Sequence, residues 1–238
     1  MLQTIKLEHI LFLDIETVPE FEDFNNLDEE KKSLWEAKTQ YQRKDDFNAE
    51  QFYNRAGIWA EFGKIVCISV GFFNFKNGDR TFRLTTFKDE ERTLLQQFSE
   101  LLKEHFSKPQ HLLCAHNGKE FDFPFIARRM LIHNLPLPLK LNLFGKKPWE
   151  VPHLDTLELW KFGDYKHFTS LKLLTNVLKI PSPKDDISGS DVRNVFYNDK
   201  DIARIVNYCE KDVLAIAQVI LKLRQEKLLE ASEVVSVQ

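Results

Sequence analysis

The sequence predicts an α/β fold: a mixed central sheet in which antiparallel hairpin strands come first, followed by strands that alternate with flanking helices. Three observations carry this prediction. Short apolar and β-branched runs occupy residues 10–13, 65–73 and 81–87, with the length and composition of buried strands. Asn77-Gly78 separates the last two runs, and that dipeptide favours the left-handed backbone of a tight hairpin turn. From residue 90 onward the apolar spacing becomes helical over 90–106, 120–132 and 202–223, with strand-like runs at 111–116 and 153–155.

Taken in order, Ile10 to Leu13 form a continuous apolar run that ends at Asp14, the pattern of a buried strand with a carboxylate at its exit. Residues 65–73 give a second strand and the alternating 81–87 a third. In 90–106, Leu94, Leu95, Phe98, Leu101, Leu102 and His105 recur at helical spacing. The 120–132 helix carries Pro124 early, where a missing N–H is tolerated. Asp155-Thr-Leu-Glu158 has the spacing of a capping box, and 169–178 reads as a compact helix. The clearest helix is Ile202–Leu223, where Ile202, Ile205, Val206, Cys209, Val213, Ile216, Ala217 and Ile220 form one stripe.

Two segments stand outside this scheme. Residues 19–58 are charged and aromatic, with helices expected over 28–41 and over 49–55 behind an Asn48 cap with Gln51 three positions on. Residues 134–152 form a proline-punctuated loop. The expected organisation is a single domain over 1–238 with a helical insertion at about 19–58. That insertion reads as a lid, a partner surface or cover for a sheet edge.

Composition limits the function classes. Hydrophobic residues at 43% and charged residues at 29% describe a soluble globular protein. The N-terminus lacks a basic region followed by a long apolar run, and no apolar stretch is long enough to span a bilayer. Cys67, Cys114 and Cys209 are odd in number and far apart, so they read as reduced core residues of a cytoplasmic protein. A net charge of -3 argues against a strong nonspecific duplex binder. It does not argue against a metal-dependent nuclease, because bound cations invert the local field.

The candidate chemistry lies in acids. D-x-E occurs at Asp14/Glu16, Asp28/Glu30 and Asp89/Glu91. The latter two begin helices, where acids favour the positive end of the dipole. Only Asp14/Glu16 follows a buried strand, whose alternation puts both carboxylates on one face. Such a pair repels unless a cation compensates it. Asp122 sits among Phe121, Phe123 and Phe125, an apolar setting in which an aspartate needs a partner. Asn117 is a candidate cap, or a ligand for phosphate or a metal-bound water; His116 reads as an ordinary strand end. Y-x-x-x-D also occurs three times, at Tyr41/Asp45, Tyr197/Asp201 and Tyr208/Asp212. Only the third lies inside the strongest helix. At about 100° per residue, Asp212 and Tyr208 fall roughly 60° and 100° to the same side of Cys209.

These residues resemble a family. The chain is similar to DEDD-type 3′→5′ exonucleases of the DnaQ-like group, and especially to stand-alone relatives of the proofreading exonuclease domain of family B DNA polymerases. The resemblance rests on D-I-E-T at 14–17, K-I-V-C-I-S-V-G-F at 64–72, N-G-K-E-F-D-F-P-F at 117–125, K-I-P-S-P-K-D-D-I-S-G-S-D-V at 179–192 and Y-C-E-K-D-V at 208–213. It implies a ribonuclease H-like mixed sheet, with three antiparallel N-terminal strands and then parallel ones. It also implies that Asp14, Glu16, Asp122 and Asp212 are the metal-binding acids and that Tyr208 positions the attacking water. The position used by the histidine branch holds Asn207, so the tyrosine branch is implied. Thr17, Asn117 and Phe121 are the expected substrate contacts. Lys184, Asp185 and Asp186 belong to a matching stretch and receive no chemical role.

The reaction implied is release of 5′-mononucleotides from 3′ ends of single-stranded DNA, with two Mg²⁺, or Mn²⁺ in their place. An RNA exonuclease or a ribonuclease H-fold endonuclease would use the same acids, and a silent nucleic-acid-binding module would keep the fold alone. Phe123, Phe125, Trp149 and Phe168 are stacking candidates, although ordinary packing is the plainer reading in a chain with 20 phenylalanines. Lys140, Lys146 and Lys147 either track a nucleic-acid backbone or form a solvated loop. With no room for a polymerase domain in 238 residues, the expectation is an exonuclease acting alone or with a polymerase or repair partner in trans, in proofreading or DNA repair.

Overall fold

The computed structural model describes residues 2–43, 47–164, 166, 168–181 and 186–236. Its strands are β1 (Ile10–Pro19), β2 (Gly63–Lys76), β3 (Asp79–Phe87), β4 (Leu112–Ala115), β5 (Leu154–Asp155) and β6 (Val234–Ser236). They form one sheet in the order β5-β4-β1-β2-β3-β6. β1, β2 and β3 pair antiparallel, β4 is parallel to β1, and β5 is parallel to β4. β6, which carries no strong strand pattern of its own, adds in parallel beside β3.

β1 does not stop at the end of its apolar run. It continues through Asp14 and Glu16 to Pro19, because residues 14–19 keep a ladder partner in β2, from Ser69 to Gly63. The apolar run reported burial, whereas hydrogen bonding to a distant strand sets the strand's length. The register shifts between Glu16 and Thr17, a bulge that bends the strand beside the acids. At the β2–β3 hairpin, Asn77 and Gly78 take positive φ of 53° and 89°, as a primed turn requires.

Helices cover both faces. α1 (Glu29–Thr39) and α2 (Ala49–Phe52) lie in the 19–58 segment; then come α3 (Glu91–His105), α4 (Asp122–Ile132), α5 (Thr156–Lys161), α6 (Leu171–Val177), α7 (Val192–Asn194) and α8 (Ile202–Leu223). One core packs α3 and α4 on Leu11, Leu13 and Ile15 of β1, through Leu94, Phe98, Phe123, Ile126 and Met130. The opposite core packs Val213, Ile216, Ala217 and Ile220 of α8 on Phe12, Phe73 and Phe82. Gly71 permits this approach, since a Cβ there would meet the Phe82 ring at 2.3 Å and Val213 at 3.0 Å. Farther along α8, Ile205, Val206 and Cys209 pack on Val18, Val66 and Cys67. Alternation along β1 therefore turns Asp14 and Glu16 toward α8.

The 19–58 segment has a small core of its own, in which Trp35 packs among Leu27, Phe52, Tyr53 and Phe62 and its Nε1 donates to the Ala49 carbonyl at 2.8 Å. Asn48 and Gln51 form the expected capping box. Both helices end earlier than their patterns suggest, and after Phe52 the chain tightens into a 3₁₀ stretch, Tyr53–Ile58. The sheet edges are β5 and β6, whereas the described part of this segment packs on β1 and β2. Gly57 lies against the end of the inner strand β1, so closely that a Cβ there would sit 3.0 Å from the Val18 carbonyl carbon. Among the described residues, no helix is long and apolar enough to cross a membrane.

Candidate active site

Asp14 and Glu16 of β1 meet Cys209 of α8, and the charges of Asp122 at the start of α4 and Asp212 in α8 reach them. One ligand atom each from Asp14, Glu16 and Cys209 lie within 4.8 Å of one another. Burial pushes the Asp14 carboxyl well above the usual carboxylate range, and the charges of Glu16, Asp122 and Asp212 push it further. Glu16 is raised for the same first reason, with Cys67, Asp212 and Asp122 adding to it. Asp122 is pushed up to about 7, mainly by burial and then by Asp155 and Asp212, against the backbone N–H groups of Asp122 and Ile15. The four expected acids therefore share one electrostatic field.

Among the described residues, neither Asp14, Glu16 nor Asp122 pairs with a lysine or arginine, and buried Asp122 Oδ1 has no hydrogen-bond partner. Buried charges are ordinarily paired or bound to metal. An all-oxygen set of carboxylates suits a hard divalent cation, so Asp14, Glu16, Asp122 and Asp212 fit the expected metal.

Tyr208 and Asp212 stand one turn apart on α8. The Tyr208 phenol is pushed far up by burial, by the charges of Asp212, Glu16 and Asp14, and by its hydrogen bond to Asp212; it stays protonated and donates. Asn207, the alternative position, is exposed. Sequence reasoning missed the Cys209 thiol, which donates to Asp14 Oδ2 at 3.3 Å. Its place in the apolar stripe concealed that contact, although its position directly after Tyr208 and three before Asp212 was a usable signal.

A second residue was underestimated. Asp155 caps α5, as expected, but Glu158 does not complete the capping box; it pairs with Lys119 at 2.6 Å. Asp155 also accepts the N–H groups of Asn117 at 2.9 Å and Lys119 at 3.1 Å. It thereby fixes the loop that delivers Asp122. Asn117 does not cap α4 with its side chain, because Phe121 occupies the N-cap position and no side-chain cap is made. Asn117 takes φ 61° and its carbonyl accepts from Glu120 and Phe121, so it turns the chain into the helix. His116 links Thr156 Oγ1 and the Thr169 carbonyl, a structural role.

Thr17 and Phe121 line a cleft beside Glu16. Of the stacking candidates, Phe123 and Phe125 are buried in the core and present no platform; Trp149 and Phe168 are exposed. Lys140 is buried and donates to the Lys108 carbonyl at 2.6 Å, so it tracks no backbone. Lys146 and Lys147 remain exposed. Lys184, Asp185 and Asp45 lie outside the described residues, and Asp186 pairs with Arg204 at 2.7 Å. The alternative acids have local duties: Asp28 caps α1 and Asp201 caps α8. Glu91 begins α3, as its place near the dipole's positive end suggests, and is also buried in an ion pair with Arg129.

Residues 58–233 match the family described as "Predicted 3'-5' exonuclease related to the exonuclease domain of PolB". The chain belongs to this family. It is thus a predicted 3′→5′ exonuclease, and nucleic acid is its substrate class. The match takes in Asp122, Tyr208 and Asp212 and begins after Asp14 and Glu16. The fold is also similar to a solved family B DNA polymerase from the hyperthermophilic archaeon Pyrobaculum calidifontis, with a TM-score of 0.51 and 13% identity. That likeness covers 94% of this chain and 27% of the polymerase chain. It identifies the mixed sheet and its flanking helices as ribonuclease H-like.

Proposed function

We propose that this exonuclease removes single nucleotides from the 3′ ends of single-stranded DNA as 5′-monophosphates. What carries this reading is that Asp14 and Glu16 lie together and feel the charges of Asp122 and Asp212, while buried Asp122 Oδ1 has no hydrogen-bond partner. Asp14, Glu16 and Asp212 would hold one divalent ion, and Asp14 with Asp122 a second; Mg²⁺ fits these hard oxygens, with Mn²⁺ able to substitute. When bound, such a pair of ions supplies activation of water and stabilisation of the leaving 3′ oxygen. Tyr208, protonated and hydrogen-bonded to Asp212, orients the attacking water. Thr17 and Phe121 flank the departing nucleotide in the cleft at Glu16. The free, buried thiols of Cys67, Cys114 and Cys209 fit a reducing compartment such as the cytoplasm. A polymerase or repair assembly acting in trans is the proposed setting.

The test compares end-labelled and circular single strands of DNA and RNA, with Mg²⁺ and with excess chelator. Metal-dependent release of mononucleotides from linear DNA is the expected result. Cleavage of circles would point to an endonuclease, and preference for RNA to an RNA exonuclease. An undiminished rate in chelator would overturn the reading.

A further inference from the structure

The cleft beside Glu16 has a volume of about 490 Å³, within the range of roughly 300–1,000 Å³ in which small-molecule sites fall. Ile15, Glu16, Thr17 and Pro19 of β1 form one side, Phe121 another, and Gly189, Ser190 and Arg193 a third. The 19–58 insertion supplies the remaining wall through Asn54, Arg55, Gly57 and Ile58. This wall is anchored. Gly57 sits on the Val18–Pro19 backbone, and the Tyr53 hydroxyl accepts the Phe21 N–H at 3.4 Å.

Two cations line the cleft, and they differ. Arg193 donates to the Glu22 carbonyl and lies 5.9 Å from the Tyr197 ring centroid, so it ties α7 to the start of the insertion. Arg55 is exposed and lies 5.4 Å from the Phe52 ring centroid, and it makes no hydrogen bond or ion pair among the described residues. A guanidinium with no hydrogen-bond or ion-pair partner among the described residues, lining a cleft that also holds Glu16, is suited to a phosphate brought to the acids. Asn54 and Arg55 also precede the family match, which starts at residue 58.

We propose that Arg55 is a substrate-binding residue, gripping a phosphate of the bound single strand so that the 3′-terminal nucleotide lies in the cleft against Phe121. The insertion thereby becomes part of the substrate site. This inference rests on the exonuclease reading for the identity of the strand end, while the contact itself is a binding claim. The test uses the full chain, wild type and R55A, R55K and R55E, with a 5′-fluorescent oligo-dT. Binding is followed by anisotropy in chelator at low ionic strength, and mononucleotide release is followed in Mg²⁺.

R55A should weaken binding roughly tenfold and lower the salt slope by about 0.7, the value for one phosphate contact on a single strand. R55E should weaken binding more, and R55K should restore part of it. The KM should rise by a similar factor with little change in kcat. Unchanged melting temperatures would show that the exposed side chain has no structural role. Equal binding and equal salt slopes for wild type, R55A and R55E would overturn the proposal, as would failure of the wild type to bind. Mononucleotide release that persists without any Arg55 effect would remove this inference alone. Arg55-dependent binding without any release would remove the exonuclease reading alone.

Discussion

Two groups of carboxylates in the fold are treated in opposite ways. Glu91, at the start of α3, is compensated from within the chain. Its Oε1 accepts from Arg129 Nε at 2.8 Å and from the Ile65 N–H at 2.7 Å, while Oε2 meets Arg129 Nη2 and His133 Nε2. Asp14, Glu16 and Asp122, at β1 and α4, have no such cation among the described residues, and all three are raised by burial and by like charges. A buried acid that is fully satisfied holds elements together. A buried set that repels itself is stable only with something added from outside, and that contrast marks the site.

The sharpest way to break the comparison is D14N. Mononucleotide release should fall by roughly a thousandfold or more, while the melting temperature holds or rises because a like-charge repulsion is removed. End-labelled release and thermal melting on the same preparation check this, and a rate near wild type would erase the distinction. R129M should do the reverse. Leaving Glu91 buried and unpaired is expected to remove about 3–5 kcal/mol of stability, a fall of roughly 6–20 °C in melting temperature. The folded fraction should keep its Mg²⁺-dependent turnover.

Metal and pH sharpen the contrast at a smaller scale. In chelator, native Asp122 keeps its proton up to about 7, whereas its ordinary value is 3.8. The native state then binds the extra proton across that window, so stability falls as pH rises from about 4 to about 7 and levels off above. Asp14 and Glu16, also raised, act in the same sense. D122N should flatten the slope, and Mg²⁺ at a hundredfold excess over its Kd should restore about 2.7 kcal/mol. Melting curves across pH, with and without Mg²⁺, measure both, and a flat profile in chelator would count against an uncompensated site. The smallest expected effect is that of Y208F. Losing the hydroxyl on Asp212 should lower kcat by roughly 10–100-fold with KM and melting temperature nearly unchanged.

Much of the fold was legible because its signals are local. The Asn77-Gly78 turn needs only its own backbone preferences, and Ile202–Leu223 forms with the predicted bounds because its stripe has one period throughout. The Asn48 and Gln51 box closes within four residues. The acids were legible for a different reason. Each sits where local pattern leaves a carboxylate unexplained, and the rival acids at Asp28 and Asp201 have caps to form. Glu91 shows the limit of that reasoning, since its role depends on Arg129, far along the chain.

By itself the sequence determined most of the strands and helices, which acids were in excess of local need, and the tyrosine rather than histidine at the last motif. Only the tertiary structure decided that β1 runs on to Pro19 and that β6 joins the sheet. It also decided that Phe123 and Phe125 are core, that Cys209 donates to Asp14, that Asp155 accepts the Asn117 N–H, and that the 19–58 segment walls a cleft. The physical reason is range. Helical period, capping and turn geometry are set within a few residues, whereas ladder partners, burial and charge compensation depend on groups that folding brings from distant parts of the chain, 38 residues away for Arg129 on Glu91 and 195 for Cys209 on Asp14.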